Sequence, residues 1–183
     1  MTGLEARERL RAQVVLARNG DRAAFEEVFT LTRTHARKLA YSVVGPNHCE
    51  DVLQESYLLA YRKLSQLKDP DALIGWLCRL VLHVSYRYKK RHPLLEELPE
   101  QLQVQEKTDD VLQAIVLRKA LNGMHTKDRD VLVLRELLGL SYEDISHALQ
   151  VPVGTVRSRL NSARKRLAQQ LRTRGIEAGS GQL

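Results

Sequence analysis

Apolar residues recur every three or four positions along most of this chain, and between residues 21 and 91 they never settle into the strict alternation of a half-buried strand. Phe25, Val28, Phe29, Ala36, Leu39, Ala40 and Val43 form one such stripe and predict a helix from Arg22 to about Val44. Asp21 is placed to cap it, and Gly45-Pro46-Asn47 to stop it. An earlier helix is expected from Leu4 to Asn19, and a third from about His48 to Leu64. A fourth should begin after Asp69-Pro70, with Asp as cap and Pro at the first helical position, and run to about Arg91. Four helices of this length can share one core.

The pattern breaks at Pro93. From there to Asp110 the leucines keep no period, prolines stand at 93 and 99, and six acidic residues face one lysine. This predicts a flexible, mostly extended acidic linker over 93–110. Helical spacing resumes over Val111 to Asn122, with a break at Gly123. Thr126 is the expected cap of the next helix, which carries Val131, Leu132, Leu134, Leu137 and Leu138 and ends at Gly139. Ser141 should cap a short helix whose Ile145, Ala148 and Leu149 face inward. Gln150 to Pro152 reads as a turn, and the last helix buries Val156, Leu160, Ala163 and Leu167. The Gly-rich stretch 175–183 is expected to be disordered. The fold class is therefore all-α, with two small helical domains at 1–92 and 111–174.

Charge gives the last helix its meaning. From Pro152 to Arg174 there are seven Lys/Arg and no Asp or Glu. Burying the apolar stripe leaves Arg157, Ser158, Asn161, Arg164 and Lys165 outside. A short capped helix, a tight turn and a basic second helix form the helix-turn-helix pattern, whose second helix enters the major groove. Arg157 and Asn161 have the chemistry for bidentate base contacts. Arg159, Arg164, Lys165 and Arg166 suit phosphates. Thr155 at the helix start can bond a phosphate, and the small Gly154 and Ser158 permit close approach. The whole chain of 183 residues carries a net charge of +7, compatible with a polyanionic partner.

Other chemistry is thin. Cys49 and Cys78 are too few for a disulfide framework and read as reduced thiols. His48 beside Cys49 does not complete a metal site. The N-terminus lacks the apolar core of a signal peptide, and ALIGWLCRLVLHV is too short and mixed to span a bilayer, so a cytoplasmic location is expected. No cofactor is implied. In the first domain, HVSYRYKKR mixes aromatic and basic residues at a helix end, which suits either unstacked bases or the helix dipole. Asp51, Gln54, Glu55 and Leu58 share one helical face by their spacing, an acidic-polar patch that could suit a basic protein partner but that spacing alone reads as ordinary wet surface.

Three stretches carry a family resemblance. LRELLGLSYEDISHALQVPVGTVRSRLNSARKRL resembles the sigma-4 domain of the small bacterial sigma factors of the extracytoplasmic function group, within the sigma-70 family. NGDRAAFEEVF and EDVLQESYLLAYRKL resemble the start and the core-binding part of sigma-2. DALIGWLCRLVLHVSYRYKKR follows the next segment more loosely, and the element order agrees over about residues 18 to 171. The resemblance implies a four-helix sigma-2-like domain and a helix-turn-helix sigma-4-like domain. It implies that Asp51, Gln54, Glu55 and Leu58 bind the coiled coil of the largest subunit of core RNA polymerase, and that the C-terminal domain meets the polymerase flap. It implies that the 65–71 loop and Arg79, His83, Tyr86, Arg87 and Lys90 read and help melt the promoter −10 element. Thr155, Arg157, Ser158, Arg159, Asn161, Arg164 and Lys165 would read the −35 element. The linker would thread polymerase near the RNA exit path. Promoter DNA, core polymerase and an anti-sigma factor are the implied partners, and the free chain is expected to be monomeric and without enzymatic activity.

The chain also departs from the family. Leu82, His83 and Arg87 stand where an arginine, an asparagine and an aspartate are usual, which implies either an unusual −10 element or weaker promoter opening. Pro152 stands where a capping Ser or Thr is common, and Gln150 replaces the common turn glycine. The rival reading is a two-domain, LuxR-like transcription regulator, which the absence of a sensor-core pattern in residues 21–91 disfavours. An enzyme using His48, Asp51 and Glu55 as acid-base or metal groups is weaker still, because no partner set completes a site.

Overall fold

The computed structural model describes residues 3–93, 120–121 and 123–173, and every regular element among them is helical. The predicted linker (93–110, beyond Pro93), most of the 111–122 helix and the 175–183 tail lie outside the described residues.

Helices α1 (Gly3–Arg18), α2 (Arg22–Val44), α3 (Cys49–Lys63) and α4 (Leu73–Arg91) form the first unit, with α2 and α4 packed together at its centre. Their starts and stops follow the sequence closely. Asp21 accepts a hydrogen bond from the Ala24 amide at 3.0 Å, the expected cap of α2. Gly45 ends that helix at φ 79°, a conformation costly for any side chain. Asp69 does cap, by accepting from the Asp71 amide at 2.9 Å, but what it caps is a single 3₁₀ turn, Pro70–Ala72, and α4 begins only at Leu73. Leu39, Val52, Val81 and Val84 are wholly buried between these helices. Burial of each such side chain contributes about 1.5–3 kcal/mol. The core's hydroxyls are satisfied within it. Ser56 and Ser85 donate back to their own helices, and Thr32 donates to the Val28 carbonyl at 2.7 Å and meets the Tyr57 hydroxyl at 2.8 Å.

The second unit holds α5 (Thr126–Leu132), a π turn (Val133–Leu137), α6 (Tyr142–Leu149) and α7 (Val153–Thr173). Two expectations are corrected here. The cap of α5 is His125, not Thr126. Its imidazole accepts from the Lys127 amide at 3.3 Å, and its carbonyl accepts from Asp128 and Arg129. The expected single helix up to Gly139 also changes register. Leu138 donates to the Val133 carbonyl at 3.1 Å, a five-residue step that turns Leu137 outward to 48% exposure.

The two units are not held apart. One apolar cluster runs from Leu39, Val81 and Val84 to Val131, Leu134, Ile145 and Leu160. Helix α6 packs along α4, and the π turn touches α2. A smaller cluster of Val14, Val28, Leu64, Leu67 and Leu73 fixes the 64–73 segment against α1 and α2.

Candidate nucleic-acid interface

The helix-turn-helix is built as the sequence predicts. Ser141 accepts from the Asp144 amide at 3.0 Å and donates to the Asp144 carboxylate at 2.6 Å, so cap and partner hold each other. Gln150 occupies the left-handed region at φ 53° without being glycine, and its amide closes α6 on the Ser146 carbonyl. The Ser146 hydroxyl then donates to the Val151 carbonyl at 2.6 Å, bracing the turn. Pro152 supplies the carbonyl that accepts from the Val156 amide at 3.1 Å, the first backbone bond of α7, and as proline it has no side-chain acceptor for the amides of the first turn.

Along α7, Val156, Leu160 and Ala163 are fully buried and Leu167 is half-buried. Arg157, Ser158, Asn161, Arg164 and Lys165 are exposed, while Thr155 and Arg159 are half-buried at the edges of the same face. The Arg157 guanidinium lies 5.9 Å from the centroid of the Tyr142 ring, which Arg135 also covers at 5.1 Å. Arg164 donates twice to Glu136, at 3.0 and 2.7 Å, and Arg166 pairs with Asp128. Those two cations brace α7 against the π turn and α5, so their charge is partly neutralised within the domain. A side chain at Gly154 would meet nothing within 4 Å, so nothing inside the described protein calls for glycine there.

On α4, Arg79, His83 and Lys90 are exposed. Tyr86 and Arg87 are half-buried with specific partners. Arg87 pairs with Glu55 of α3. The Tyr86 hydroxyl donates to the Asp130 carboxylate and accepts from the Arg129 guanidinium. Burial raises the Tyr86 phenol well above its usual range, and the Asp130 charge adds to the effect. The 65–71 loop is held to α1: Arg18 donates to the Lys68 carbonyl at 3.2 Å, and Arg11 pairs with Asp71 at 3.2 Å.

Asp51, Gln54 and Leu58 lie exposed on α3 with Glu55 beside them, Leu58 at 59%. The structure adds Tyr61, 54% exposed and edge-on to Phe25 at 4.9 Å. The spacing 54, 58, 61 carries this signal in the sequence, since it sets Tyr61 on the face of Gln54 and Leu58. Asp51 accepts from Tyr88 at 3.4 Å, and Tyr88 also meets His48 at 3.1 Å. His48 and Asp51 thus both meet Tyr88, and Glu55 pairs with Arg87. Among the described residues no group of three or more His, Cys, Asp or Glu is arranged to hold a metal ion. Both cysteines are free and buried, and burial pushes the Cys78 thiol up to about 12, with the Asp144 charge adding to it. No helix among the described residues is long and apolar enough to cross a membrane.

Known proteins resemble this arrangement over most of the chain. The "Sigma-70, region 4" family pattern matches residues 114–167, which contain the helix-turn-helix. The ECF RNA polymerase sigma-E factor of Haemophilus influenzae is 30% identical over 183 residues, covering 90% of this chain and 97% of the relative. The sigma-E factor of Salmonella typhimurium LT2 is 32% identical, covering 86% and 93%. The chain belongs to the extracytoplasmic function group of sigma factors. Among solved structures, RpoE of Bartonella quintana, determined with the anti-sigma factor NepR, is 25% identical with a TM-score of 0.65, covering 81% of this sigma factor and 96% of that chain. CnrH, determined with the cytosolic domain of CnrY, shares the fold at 23% identity and a TM-score of 0.72, covering 90% and 98%.

Proposed function

We propose that this sigma factor binds core RNA polymerase and directs it to promoters whose −35 and −10 elements it reads itself. The observation that carries the proposal is α7. Three buried apolar residues orient it so that an unbroken polar and basic face points outward at the end of a helix-turn-helix. On this reading Arg157 and Asn161 contact base edges. Thr155, Ser158, Arg159, Arg164 and Lys165 fix the helix on the backbone. Arg164 must exchange Glu136 for a phosphate, at little cost for an exposed pair.

Arg79, His83 and Lys90, with Tyr86, Arg87 and the 65–71 loop, take the −10 element and its opened strand. The exposed Asp51, Gln54 and Leu58, with Glu55 and Tyr61, dock on the coiled coil of the largest polymerase subunit, and the C-terminal domain meets the flap. We place the domain limits at 1–92 and 111–174, joined by a 93–110 linker. The protein adds no chemistry of its own, because strand opening is driven by binding. It works in the cytoplasm and is held inactive there by an anti-sigma factor, a partner class supported by the RpoE–NepR relative. A LuxR-like regulator is not favoured by the relatives, which are sigma factors over nearly their whole length.

The test is reconstitution. Core polymerase with and without the purified full chain is incubated on genomic DNA of the organism carrying the gene, and transcript 5′ ends are mapped. The proposal expects new start sites sharing two upstream elements. Start sites identical to those made by core polymerase alone would defeat it.

A further inference from the structure

The cations of α7 are not all held alike. Arg164 and Arg166 pair with carboxylates, Glu136 and Asp128. No carboxylate among the described residues holds Arg157. It meets the Tyr142 ring instead, with its guanidinium over the ring at 5.9 Å from the centroid. A guanidinium laid on an aromatic face keeps its N–H edge free, whereas a carboxylate occupies that edge. The side chain assigned to a base edge is thus steadied without engaging its donors.

The ring itself is fixed. Tyr142 is the first residue of α6, directly after Ser141, whose cap on the Asp144 amide sets the start of that helix. The ring is half-buried and packs against the main apolar cluster. Arg135 covers it at 5.1 Å and is itself fastened, donating to the Leu140 carbonyl at 2.7 Å. A free arginine loses rotamer freedom when a base fixes it. A guanidinium that already rests on a ring has lost part of that freedom before DNA arrives, and the contact strengthens as water is excluded. We infer that Tyr142 is a positioning residue for −35 recognition, cradling the Arg157 guanidinium so that its N–H edge meets one base pair. This rests on the base-reading role proposed for Arg157 and deepens it. The first helix of the helix-turn-helix contributes to sequence discrimination through a ring that need not touch a base.

The experiment uses the full chain reconstituted with core polymerase, as wild type, Tyr142→Leu, Tyr142→Phe, Arg157→Ala and the double variant Tyr142→Leu with Arg157→Ala. Affinity is measured on −35 elements varied one base pair at a time, and Arg157→Ala identifies the base pair that Arg157 reads. Tyr142→Leu should lower affinity for the best element about three- to tenfold, the range for immobilising one flexible side chain. It should narrow discrimination at that same base pair alone. The salt slope should stay as in the wild type, because no phosphate contact is lost. In the Arg157→Ala background the same substitution should have no further effect, and Tyr142→Phe, which keeps the ring, should match the wild type. A ring that merely supports the fold would act on every sequence alike, by the same factor with or without Arg157. That additive result would overturn the inference, as would unchanged discrimination in Tyr142→Leu. If Tyr142→Leu loses helical content by circular dichroism, progressively fluorinated phenylalanines at position 142 decide, since fluorine weakens the attraction of the ring for a cation at nearly constant shape. Affinity falling stepwise along that series supports the inference, and a flat series overturns it. If Arg157→Ala changed discrimination at no base pair, the base-reading role would fall and the positioning role with it. An Arg157 effect without a matching Tyr142 effect overturns the positioning role alone.

Discussion

Replacing Arg157 by alanine separates a base contact from a structural one. The side chain is exposed, and its guanidinium rests 5.9 Å from the Tyr142 ring. An exposed cation–π contact is worth about 0.5–1 kcal/mol. Arg135 remains over the same ring and keeps its 2.7 Å bond to the Leu140 carbonyl, so the expected loss of stability stays near the lower figure. A bidentate contact to a base edge is worth about 1–3 kcal/mol, or roughly 5- to 150-fold in affinity. Binding must therefore suffer more than folding. The assay measures promoter affinity of the reconstituted holoenzyme on a set of −35 elements varied one base pair at a time, beside urea unfolding of the free chain. The expected result is a roughly tenfold or greater loss on the best element and lost discrimination at a single position, with the urea midpoint nearly unchanged. Lys165→Ala, by contrast, should weaken all sequences alike and reduce the salt slope by about 1. If Arg157→Ala also weakened all sequences alike, Arg157 would be a phosphate contact and the orientation assigned to α7 would be wrong.

Other outcomes follow from the same structure. Leu58→Ala removes an exposed side chain, so urea stability should change by less than about 0.5 kcal/mol while affinity for core polymerase drops in a pull-down titration. Thr32→Val keeps the volume but strands the buried Tyr57 hydroxyl. It should cost about 1–3 kcal/mol in urea unfolding, and adding Tyr57→Phe should recover part of that loss. Cys78 has its pKa raised from 9.0 to about 12, so the native thiol keeps its proton where the unfolded one ionises. Stability contributed by the protonated thiol is present below about pH 9. It falls above that at roughly 1.4 kcal/mol per pH unit until the native thiol also ionises. Cys78→Ala should flatten the dependence measured between pH 8.5 and 9.5, below the 10.0 at which Tyr57, Tyr86 and Tyr88 are half ionised in the unfolded chain.

Local signals made the helices legible in the sequence. Asp21, Gly45 and Ser141 act where their side chains or their backbone freedom place them, because caps and stops are decided within a few residues. The stripe Val156, Leu160, Ala163 fixed the outward face of α7 for the same reason. What stayed hidden depends on distant partners. Gly75 looks like a weak point in a helix until the α6 backbone is set against it. Tyr86 and Arg129 lie 43 residues apart, and neither position reveals that they meet. The family resemblance gives Glu55 and Arg87 different partners, polymerase and DNA, and in the folded chain they pair with each other. The π turn was missed because its apolar residues fit an α-helical stripe as far as Leu134. The slip becomes visible only in the hydrogen bonds that follow.

The central claim is that one chain, seated on polymerase, reads both promoter elements. Footprinting of the holoenzyme on a mapped promoter, with permanganate to detect unpaired thymines, tests it most directly. The account predicts protection at both elements and reactive thymines near −10 only when chain and core polymerase are both present. Protection of a two-fold symmetric site by the chain alone, with no thymine reactivity when polymerase is added, would contradict it.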